Sequence, residues 1–480
     1  MDQYKLYLNG EWVDLKQRFA VTDPGTGEAF AEVPAADREQ ARKAIADADR
    51  AFDAWRSLTG MKRGDYLLAV ASALMERKEE IARIITRVNG KPMAQSRGEV
   101  DVSIDHLRWF AGEARRAYGR VIPHQAEGKR HLVLKSPVGV VGAIPPWNFP
   151  LVLAVRKAAP ALAAGCPVVL KPSRQTPLCA LELARCVEAA GLPPGAFQVI
   201  CGPAQEIVAE FMDNPLCRKV SFTGSTEVGK KLLEASAKTV TRLSLELGGH
   251  APVLVFADAD LELAVEGAMI TKFRNTGQSC IAANRIYVEK PIYEEFLRRF
   301  VEKTRALKVG YGLEEGVDIG AIINQDGLDT ALAHIENARA GGARVLCGGK
   351  PAAVGGAGSG GTFLEPTVLA DVPADAACMR EETFAPVAPV CSFEREEEAI
   401  AQANNTRYGL AAYAYTNDLN RAWRLAEGLE AGTIAINDAV PSTSNAPFGG
   451  MKESGLGREL GCEGLEAFLE TKHISFGAVK

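Results

Sequence analysis

The chain has 480 residues, and at roughly 100 to 200 residues per domain this length predicts two or three domains. Its 55 Lys and Arg residues against 60 Asp and Glu residues give a net charge of −5. This charge argues against nucleic acid or an anionic membrane as a partner, because both select a basic surface. The apolar fraction of 47% and the charged fraction of 24% exclude disorder, collagen and a coiled-coil rod as descriptions of the whole chain.

The opening sequence MDQYKLYLNGEW lacks the basic and apolar regions of a secretory signal, so we expect a cytoplasmic protein. The longest uncharged stretch, residues 136–155, contains four prolines, which leave backbone groups that lipid could not satisfy. We therefore expect no membrane association. The ten cysteines include no CxxC pair, and no histidines follow at zinc-finger spacing. Neither a disulfide framework nor a metal site is expected.

Helical and strand patterns alternate along most of the chain. Asp37 and Gln40 form a capping-box pattern ahead of a first helix, and a second helical region covers about residues 65–90. From residue 138 short β-branched runs alternate with helical ones, and a second alternating set begins near residue 251. This alternation is typical of parallel sheets with helices on both faces. It predicts two α/β domains with a boundary near residue 250.

A glycine motif, SFTGSTEVGK, follows the predicted strand KVSFT and opens a predicted helix. This order suits phosphate binding at a helix N-terminus, with Gly224 and Gly229 allowing close backbone approach. The string also approaches a P-loop, but Lys231 stands where the magnesium-binding Ser or Thr should be. No GxGxxG fingerprint occurs, so this signal is weak by itself.

Three residues could carry covalent chemistry. Cys280 lies in NTGQSCIAANR, a turn ahead of a predicted strand, and a thiolate is the best side-chain nucleophile near neutral pH. Glu246 ends a strand in SLELGG, and Asn148 lies in the proline-locked PPWNFP. Each has a structural alternative, because Cys280 could be an inert thiol, Glu246 a solvated strand end and Asn148 a loop cap.

In combination these residues belong to a set of seven motifs, which resembles the aldehyde dehydrogenase superfamily in order and spacing over essentially the whole chain. The KFRNTGQSC segment is most similar to the succinate-semialdehyde dehydrogenases. The motifs are PWNFP (146–150), KPS (171–173), FTGST (222–226), LELGG (245–249), GQSC (277–280), EETF with a following Pro (381–386) and PFGGMKESG (447–455).

The resemblance implies an α/β fold with a Rossmann-type dinucleotide-binding domain, an α/β catalytic domain and a small β oligomerisation element. We expect the first from residues 1–118 and 137–248, the second from 249–448, and the third from 119–136 and 464–480. Segments within the third part look like the strands that pair between subunits of this superfamily. A homodimer or homotetramer is therefore expected.

The resemblance also implies site roles. Cys280 would be the nucleophile, Glu246 the general base, and the Asn148 amide with the Cys280 N–H the oxyanion hole. Attack on an aldehyde creates an alkoxide that needs two positioned donors, and hydrolysis of the resulting thioester needs a base. The residues implied in cofactor binding are Pro146, Trp147, Lys171, Ser173, Arg174, Gly224 and Ser225, with Glu382 and Phe384 at the nicotinamide ribose.

Three positions depart from relatives. Arg174 stands where many NAD-preferring relatives carry an acidic residue, and arginine can pair with a 2′-phosphate. We therefore predict NADP as the preferred cofactor and NAD as the weaker one, unless Arg174 points into solvent. Ala282 replaces the second cysteine that some succinate-semialdehyde dehydrogenases carry, so no disulfide switch is expected there. Ala385 replaces a common glycine, which bears on nicotinamide mobility.

The expected substrate class depends on charge. Arg156 and Arg274 match positions where the resembled enzymes bind a distal carboxylate, and Ser442 or Thr443 matches the assisting hydroxyl. Two arginines in an apolar tunnel would be costly without an anion. For Arg156 the competing interpretation is a surface or interdomain ion pair.

The sequence thus predicts oxidation of succinate semialdehyde to succinate through a cysteine thioester. The first alternative is a dehydrogenase for another short anionic aldehyde, of the glutarate semialdehyde, phosphonoacetaldehyde or sulfoacetaldehyde type, or one of broad specificity. A CoA-acylating enzyme fits less well, because Glu246 is present. The non-enzyme alternative is a catalytically silent structural protein of the same fold.

Overall fold

The computed structural model describes residues 1–478. Residues 479 and 480, part of the predicted oligomerisation segment 464–480, lie outside the described residues. Within the described part fifteen α-helices, α1 to α15, cover Arg38–Ser57, Gly60–Glu76, Lys78–Asn89, Met93–Glu113, Val152–Ala164, Pro177–Ala189, Ala204–Asp213, Thr226–Ser236, Leu261–Phe273, Tyr293–Arg305, Gln325–Ala340, Ala377–Arg380, Glu396–Asn404, Leu419–Gly428 and Gly461–Glu466.

Strands β1 to β23 of the same residues are mostly short. In chain order they cover Asp2–Gln3, Leu6–Leu8, Glu11–Val13, Arg18–Thr22, Ala29–Pro34, Arg120–Ile122, Arg130–Pro137, Val140–Ile144, Val168–Leu170, Phe197–Val199, Cys217–Thr223, Arg242–Glu246, Ala251–Val255, Ala283–Glu289, Arg344–Cys347, Thr367–Ala370, Val387–Phe393, Tyr408–Gly409, Ala411–Tyr415, Thr433–Ile436, Met451–Lys452, Gly455–Leu456 and Leu469–Phe476.

The first helices show how local sequence sets element ends. The Asp37 carboxylate accepts the N–H groups of Glu39 and Gln40, and the Gln40 side chain accepts the Asp37 N–H. This confirms the predicted capping box. The single helical region predicted over residues 65–90 is wrong in extent, because α2 begins at Gly60 and α3 follows after one intervening residue. The Thr59 hydroxyl caps α2, a start signal that the apolar pattern alone does not show.

Two large sheets, both mainly parallel as predicted, organise the chain. The eight-stranded sheet has the order β22-β12-β11-β8-β9-β10-β2-β3, and its strands β12 to β10 in that order are mutually parallel. The seven-stranded sheet has the order β15-β16-β17-β14-β13-β19-β20, in which only β15 runs antiparallel. In chain order the change from one sheet to the other falls between Glu246 and Ala251. The domain limits themselves stay predictions.

Alternating side chains of the second sheet enter separate apolar cores on its two faces. Leu254 and Tyr287 belong to one core, whereas their neighbours Val253 and Val288 belong to the other. The first sheet lies within a single larger core that also includes α5, whose thirteen residues are all buried. Covering of both faces is the arrangement that parallel sheets require.

A separate three-stranded antiparallel sheet, β23-β7-β6, is formed by parts of the predicted oligomerisation segments. Strands β7 and β23 pair over eight residues, from Leu469 opposite Pro137 to Phe476 opposite Arg130. Apolar side chains on this sheet remain exposed, including Val121 at 74% and Phe476 at 47%. None of the described helices is both long and apolar enough to cross a membrane.

Candidate active site

The predicted site residues follow the ends of parallel strands in the first sheet. Residues 145–148 follow β8, residues 171–174 follow β9, and residues 224–225 follow β11, while Glu246 ends β12. Because parallel strands bring their carboxyl ends to one edge, these segments converge although the chain separates them. The fold therefore explains why motifs so far apart in the sequence form one site.

The segment that carries Cys280 has an uncommon backbone. After α9 ends, Asn275, Thr276 and Gly277 adopt φ values of 52°, 58° and 73° in succession, a left-handed conformation that costs a β-branched residue such as threonine most. The N–H of Gly320 donates to the Thr276 hydroxyl at 3.1 Å and holds the turn. Such strain at a turn beside a thiol is typical of a functional site.

The connection from Glu246 passes directly beneath this turn. A Cβ atom on Gly249 would lie 2.1 Å from the carbonyl oxygen of Cys280, so only glycine permits the approach. The two segments border a cavity of about 200 Å³. The cavity is lined by Pro146, Trp147, Asn148, Thr223, Gly224, Ser225, Leu247, Gly248, Cys280, Glu382 and Phe384.

The Cys280 thiol is partly exposed to this cavity, although protein surrounds it on most sides. Burial, with a smaller contribution from the Glu382 carboxylate, raises its pKa to about 12, and the Arg156 guanidinium acts in the opposite direction. The thiol of this structure is therefore protonated at neutral pH. Reaction through sulfur requires a base close by.

Two hydrogen-bond donors lie beside the sulfur. The Asn148 side chain is buried, and its Nδ2 donates to the carbonyl of Gln278 at 3.2 Å, while its Oδ1 has no partner within residues 1–478. The backbone N–H of Cys280 donates to no other residue of that part of the chain. These groups are placed to meet a charge that develops on an oxygen next to the sulfur.

Glu246, the predicted base, is buried at the end of β12 and acts electrostatically on the Cys280 thiol. Its carboxylate is buried, and the oxygen Oε2 has no hydrogen-bond partner among the described residues. Burial raises the pKa of Glu246 well above its usual value, and the Glu459 carboxylate raises it further. A buried carboxyl with a raised pKa can exchange protons near neutral pH.

Glu459 and Lys157 are site residues that the sequence analysis missed. Lys157 Nζ donates to Glu459 at 2.7 Å and to the Thr223 hydroxyl at 2.6 Å, and both charged side chains are buried. The Glu459 carboxylate in turn acts electrostatically on Glu246. The signal for Lys157 was present, since VLAVRKAAPALAA places two basic residues in an otherwise apolar helix.

The two predicted substrate arginines lie near each other and near Cys280. Arg156 is buried on α5 and forms no ion pair with any residue from 1 to 478, which rules out the ion-pair alternative there. Arg274 is exposed, yet the protein around it lowers its guanidinium pKa by desolvation. Each guanidinium also acts electrostatically on the Cys280 thiol.

The structure distinguishes the two candidate hydroxyls. Arg156 donates from Nη2 to the Ser442 hydroxyl at 2.8 Å. Thr443 is exposed, and its hydroxyl bonds to Asn445 at 2.9 Å instead. Only Ser442 is therefore brought to the arginines.

The opposite side of the cavity fits a dinucleotide. The N-terminus of α8, capped by Ser225, opens towards it beside Gly224, and Trp147 meets Phe384 edge to face at 5.4 Å between ring centres. Glu382 accepts the Gly249 N–H at 3.2 Å, and burial raises the Glu382 pKa to about 8. A half-buried carboxyl group with so little hydrogen bonding is available to a ligand hydroxyl.

The remaining cofactor candidates, Lys171, Ser173 and Arg174, do not line this cavity. Burial lowers the pKa of Lys171, whose ammonium donates to the Pro172 carbonyl at 3.2 Å, while the Ser173 hydroxyl accepts the Gln175 N–H at 3.3 Å. Arg174 is exposed and stacks 4.9 Å from the centre of the Phe19 ring. It lines a second cavity and does not line the one that contains Cys280.

Comparison with known proteins agrees with this geometry. The model of the aldehyde dehydrogenase family matches residues 12–474. The chain belongs to the aldehyde dehydrogenase family. It is 47% identical to the succinate-semialdehyde dehydrogenase [NADP(+)] GabD of Escherichia coli (strain K12), over 98% of this chain and 97% of that one.

A second family member is almost equally similar. The chain is 46% identical to a glutarate-semialdehyde dehydrogenase of Pseudomonas aeruginosa, over 98% of this chain and 97% of that one. Among solved structures, that of an E. coli NADP dependent enzyme superposes with a TM-score of 0.97 at 46% identity, covering 99% of this chain and 98% of the other. Family membership confirms the predicted fold class. It also confirms the prediction that the protein is an enzyme of the aldehyde dehydrogenase class.

Proposed function

We propose that this aldehyde dehydrogenase oxidises succinate semialdehyde to succinate, with NADP as the preferred cofactor. The substrate assignment is based on Arg156 and Arg274. Both arginines lie close to the Cys280 thiol, and Arg156 donates a hydrogen bond to Ser442. Neither guanidinium has an ion-pair partner within residues 1–478. A substrate carboxylate would neutralise positive charge that the protein leaves unpaired.

The reaction begins at Cys280. Glu246 takes the thiol proton, and the sulfur attacks the aldehyde carbon, so that an S–C bond forms and the carbonyl oxygen becomes an oxyanion. The Asn148 amide and the Cys280 N–H donate to this oxyanion, and each such donor stabilises the transition state by about 3 to 4 kcal/mol at most. This role is supported by the cavity that Asn148 and Cys280 line together.

When bound, the nicotinamide supplies the acceptor for the hydride that leaves the former aldehyde carbon. Trp147, Phe384 and Glu382 border the place beside Cys280 that this ring would occupy. The hydride departure restores a carbonyl, and Cys280 then carries a thioester.

Hydrolysis of the thioester returns the site to its starting state. Glu246 first releases the proton taken from the thiol to solvent, and it then removes a proton from water as the water oxygen attacks the thioester carbon. The C–S bond breaks, the proton held by Glu246 passes to the departing sulfur, and the free acid leaves. The unpartnered Oε2 of Glu246 is available for this water. The neighbouring Glu459, which is paired with Lys157, keeps the pKa of Glu246 high enough for exchange near neutral pH.

NADP preference is supported by Arg174 and by the similarity to the NADP(+)-named succinate-semialdehyde dehydrogenase GabD. Arg174 forms no ion pair within the described chain, and only an aromatic contact holds it. A guanidinium free of carboxylates can turn and pair with a 2′-phosphate. A 2′-hydroxyl carries no charge, so its interaction with the guanidinium would contribute much less binding free energy.

A second candidate substrate is glutarate semialdehyde, one carbon longer. It is favoured by the relative at 46% identity that carries that name, because one methylene in a pocket is worth only about 1 to 3 kcal/mol of discrimination. Other short anionic aldehydes, with a phosphonate or sulfonate in place of the carboxylate, would present a negative charge to the same arginines.

We also propose that the chain forms a homodimer or homotetramer through the sheet β23-β7-β6. Support comes from its exposed apolar side chains, such as Val121 and Phe476, and from its two unpaired edges. The domain limits 1–118 with 137–248, 249–448, and 119–136 with 464–480 stay predictions. A cytoplasmic location stays a prediction.

The testing experiment compares kcat/KM for succinate semialdehyde and for butanal at saturating NADP. We expect a preference of about 100-fold or more, equivalent to roughly 2.7 kcal/mol. Near-equal values would remove the roles given to Arg156 and Arg274, and would leave those of Cys280 and Glu246 standing.

A further inference from the structure

A buried ion pair lies directly under the segment that carries Asn148. Lys91 Nζ and Glu99 Oε2 are 2.6 Å apart, and both side chains are 1% exposed. Neither residue belongs to a motif of the site, since Lys91 precedes α4 and Glu99 lies within it. Burying two charges costs several kcal/mol per ion, so this pair needs an explanation.

Each partner makes a second contact, and both contacts are with the same short segment. Lys91 Nζ donates to the backbone carbonyl of Asn148 at 2.8 Å. The other oxygen of Glu99, Oε1, accepts the backbone N–H groups of Leu151 at 2.9 Å and Val152 at 3.2 Å. The pair therefore holds the segment 148–152 at both ends.

Glu99 serves as the N-cap of α5 from outside the helix. The N-cap position is occupied by Leu151, whose side chain cannot accept a hydrogen bond, and no other local side chain caps the helix. A carboxylate at a helix N-terminus satisfies free N–H groups and interacts favourably with the helix dipole. This helix carries Arg156 and Lys157, so its start sets the place of both.

Lys91 meets a second segment of the site at the Asn148 carbonyl. Asn275 Nδ2 donates to the same oxygen at 2.8 Å and to the Gln278 carbonyl at 2.9 Å. That Gln278 carbonyl also accepts the Asn148 side-chain amide. The oxyanion segment and the nucleophile turn are thus tied together at a single carbonyl that Lys91 anchors.

We infer that Lys91 and Glu99 are positioning residues that fix the Asn148 amide relative to the Cys280 sulfur. This inference rests on the proposed function, in which Asn148 donates to the oxyanion. Lys91 also lies 4.0 Å from the centre of the Phe149 ring, on which Arg274 stacks at 5.2 Å. A shift of the oxyanion donor by about 1 Å can cost about 100-fold in rate.

The test uses Lys91→Met, Glu99→Gln and the double variant. Each single variant leaves one buried charge without its partner and should lower the melting temperature, whereas the double variant removes both charges and should recover it. Only a positioning role predicts that the double variant, although stable, still has a kcat about 10- to 100-fold below that of the unchanged enzyme. Rates are normalised to reactive thiol, and NADP affinity should change less than about twofold.

Glu182→Gln is the matched control. Glu182 is buried and lies 2.5 Å from Arg77, and the substitution removes the charge from this pair. Glu182 makes no hydrogen bond to residues 148–152. The substitution should lower stability and leave kcat per thiol unchanged. In an Asn148→Ala background the Lys91→Met change should cost less than about threefold, because the donor that it displaces is gone.

A stable double variant with a kcat within twofold of the unchanged enzyme would overturn the inference. So would an equal loss from Lys91→Met with and without Asn148. Failure of the proposed function gives a different result, because an Asn148→Ala variant would then keep its full kcat. If the double variant does not fold, the loss of kcat caused by Glu99→Gln is measured with Asn148 present and in the Asn148→Ala background. An equal loss in the two backgrounds overturns the inference, and a smaller loss in the Asn148→Ala background supports it.

Discussion

Replacing Arg274 by methionine tests the substrate assignment with the least disturbance of the fold. Arg274 follows α9 directly, is exposed, and has no ion-pair partner within residues 1–478. Its guanidinium contacts the Phe149 ring at 5.2 Å. Methionine keeps a flexible apolar stem against that ring and removes only the charge.

The size of the effect follows from the contact that is lost. A hydrogen bond between charged groups contributes about 1.5 to 3 kcal/mol, and each 1.36 kcal/mol, roughly, is tenfold in rate. The kcat/KM for succinate semialdehyde should therefore fall by about 10- to 150-fold. Arg156 and Ser442 stay in place, so the loss should be partial.

The assay compares succinate semialdehyde with butanal, which has the same carbon number and no carboxylate. For butanal the Arg274→Met variant should keep kcat/KM within about threefold, because an uncharged tail loses no ion pair. Arg298→Met, a change of an arginine that is 60% exposed on α10 and outside the site, is the control for a lost surface charge. Equal losses for both aldehydes would refute the idea that Arg274 recognises the carboxylate.

Four further predictions concern the chemical groups. Cys280→Ala should abolish oxidation of every aldehyde, because no other thiol lines the cavity; residual dehydrogenase activity above about 0.1% would contradict this. Glu246→Gln removes the base for both the thiol and the hydrolytic water, so it should slow the first turnover and lower kcat by at least about 100-fold; an unchanged rate would argue for another base. Glu459→Gln removes a negative charge that, in addition to burial, raises the pKa of Glu246, so the acid limb of kcat against pH should move to lower pH; a shift to higher pH would contradict this coupling. Arg174→Glu should lower kcat/KM with NADP at least about tenfold and leave NAD almost unchanged, and a matched loss with both cofactors would show that Arg174 does not recognise the 2′-phosphate.

The proposed chemistry was predicted from the resemblance of the seven motifs to one family, because Cys280, Glu246 and Asn148 each have a structural alternative when taken alone. Cys280 in its turn before a strand, Glu246 at a strand end and Asn148 after a strand lie where the pattern placed them. Strand and helix order follows from local periodicity, and parallel strands necessarily bring their ends together. For that reason the edge that holds the site was implied by the alternation itself.

The partners of these residues could not be predicted in the same way. Lys157 and Glu459 are 302 positions apart, and the Lys91 contact with Asn148 spans 57. Whether a charge is solvated, paired or unpaired depends on which distant segment packs against it, and no local pattern carries that information.

The tertiary structure also decided between alternatives that the sequence left equal. Ser442 and Thr443 are adjacent hydroxyls, yet only Ser442 reaches Arg156. Arg174 occupies the position expected of a cofactor ligand but stacks on Phe19, a residue from a distant strand. The sequence by itself thus determined which groups are available for chemistry, and long-range packing decided which of them are buried, charged and within reach of one another.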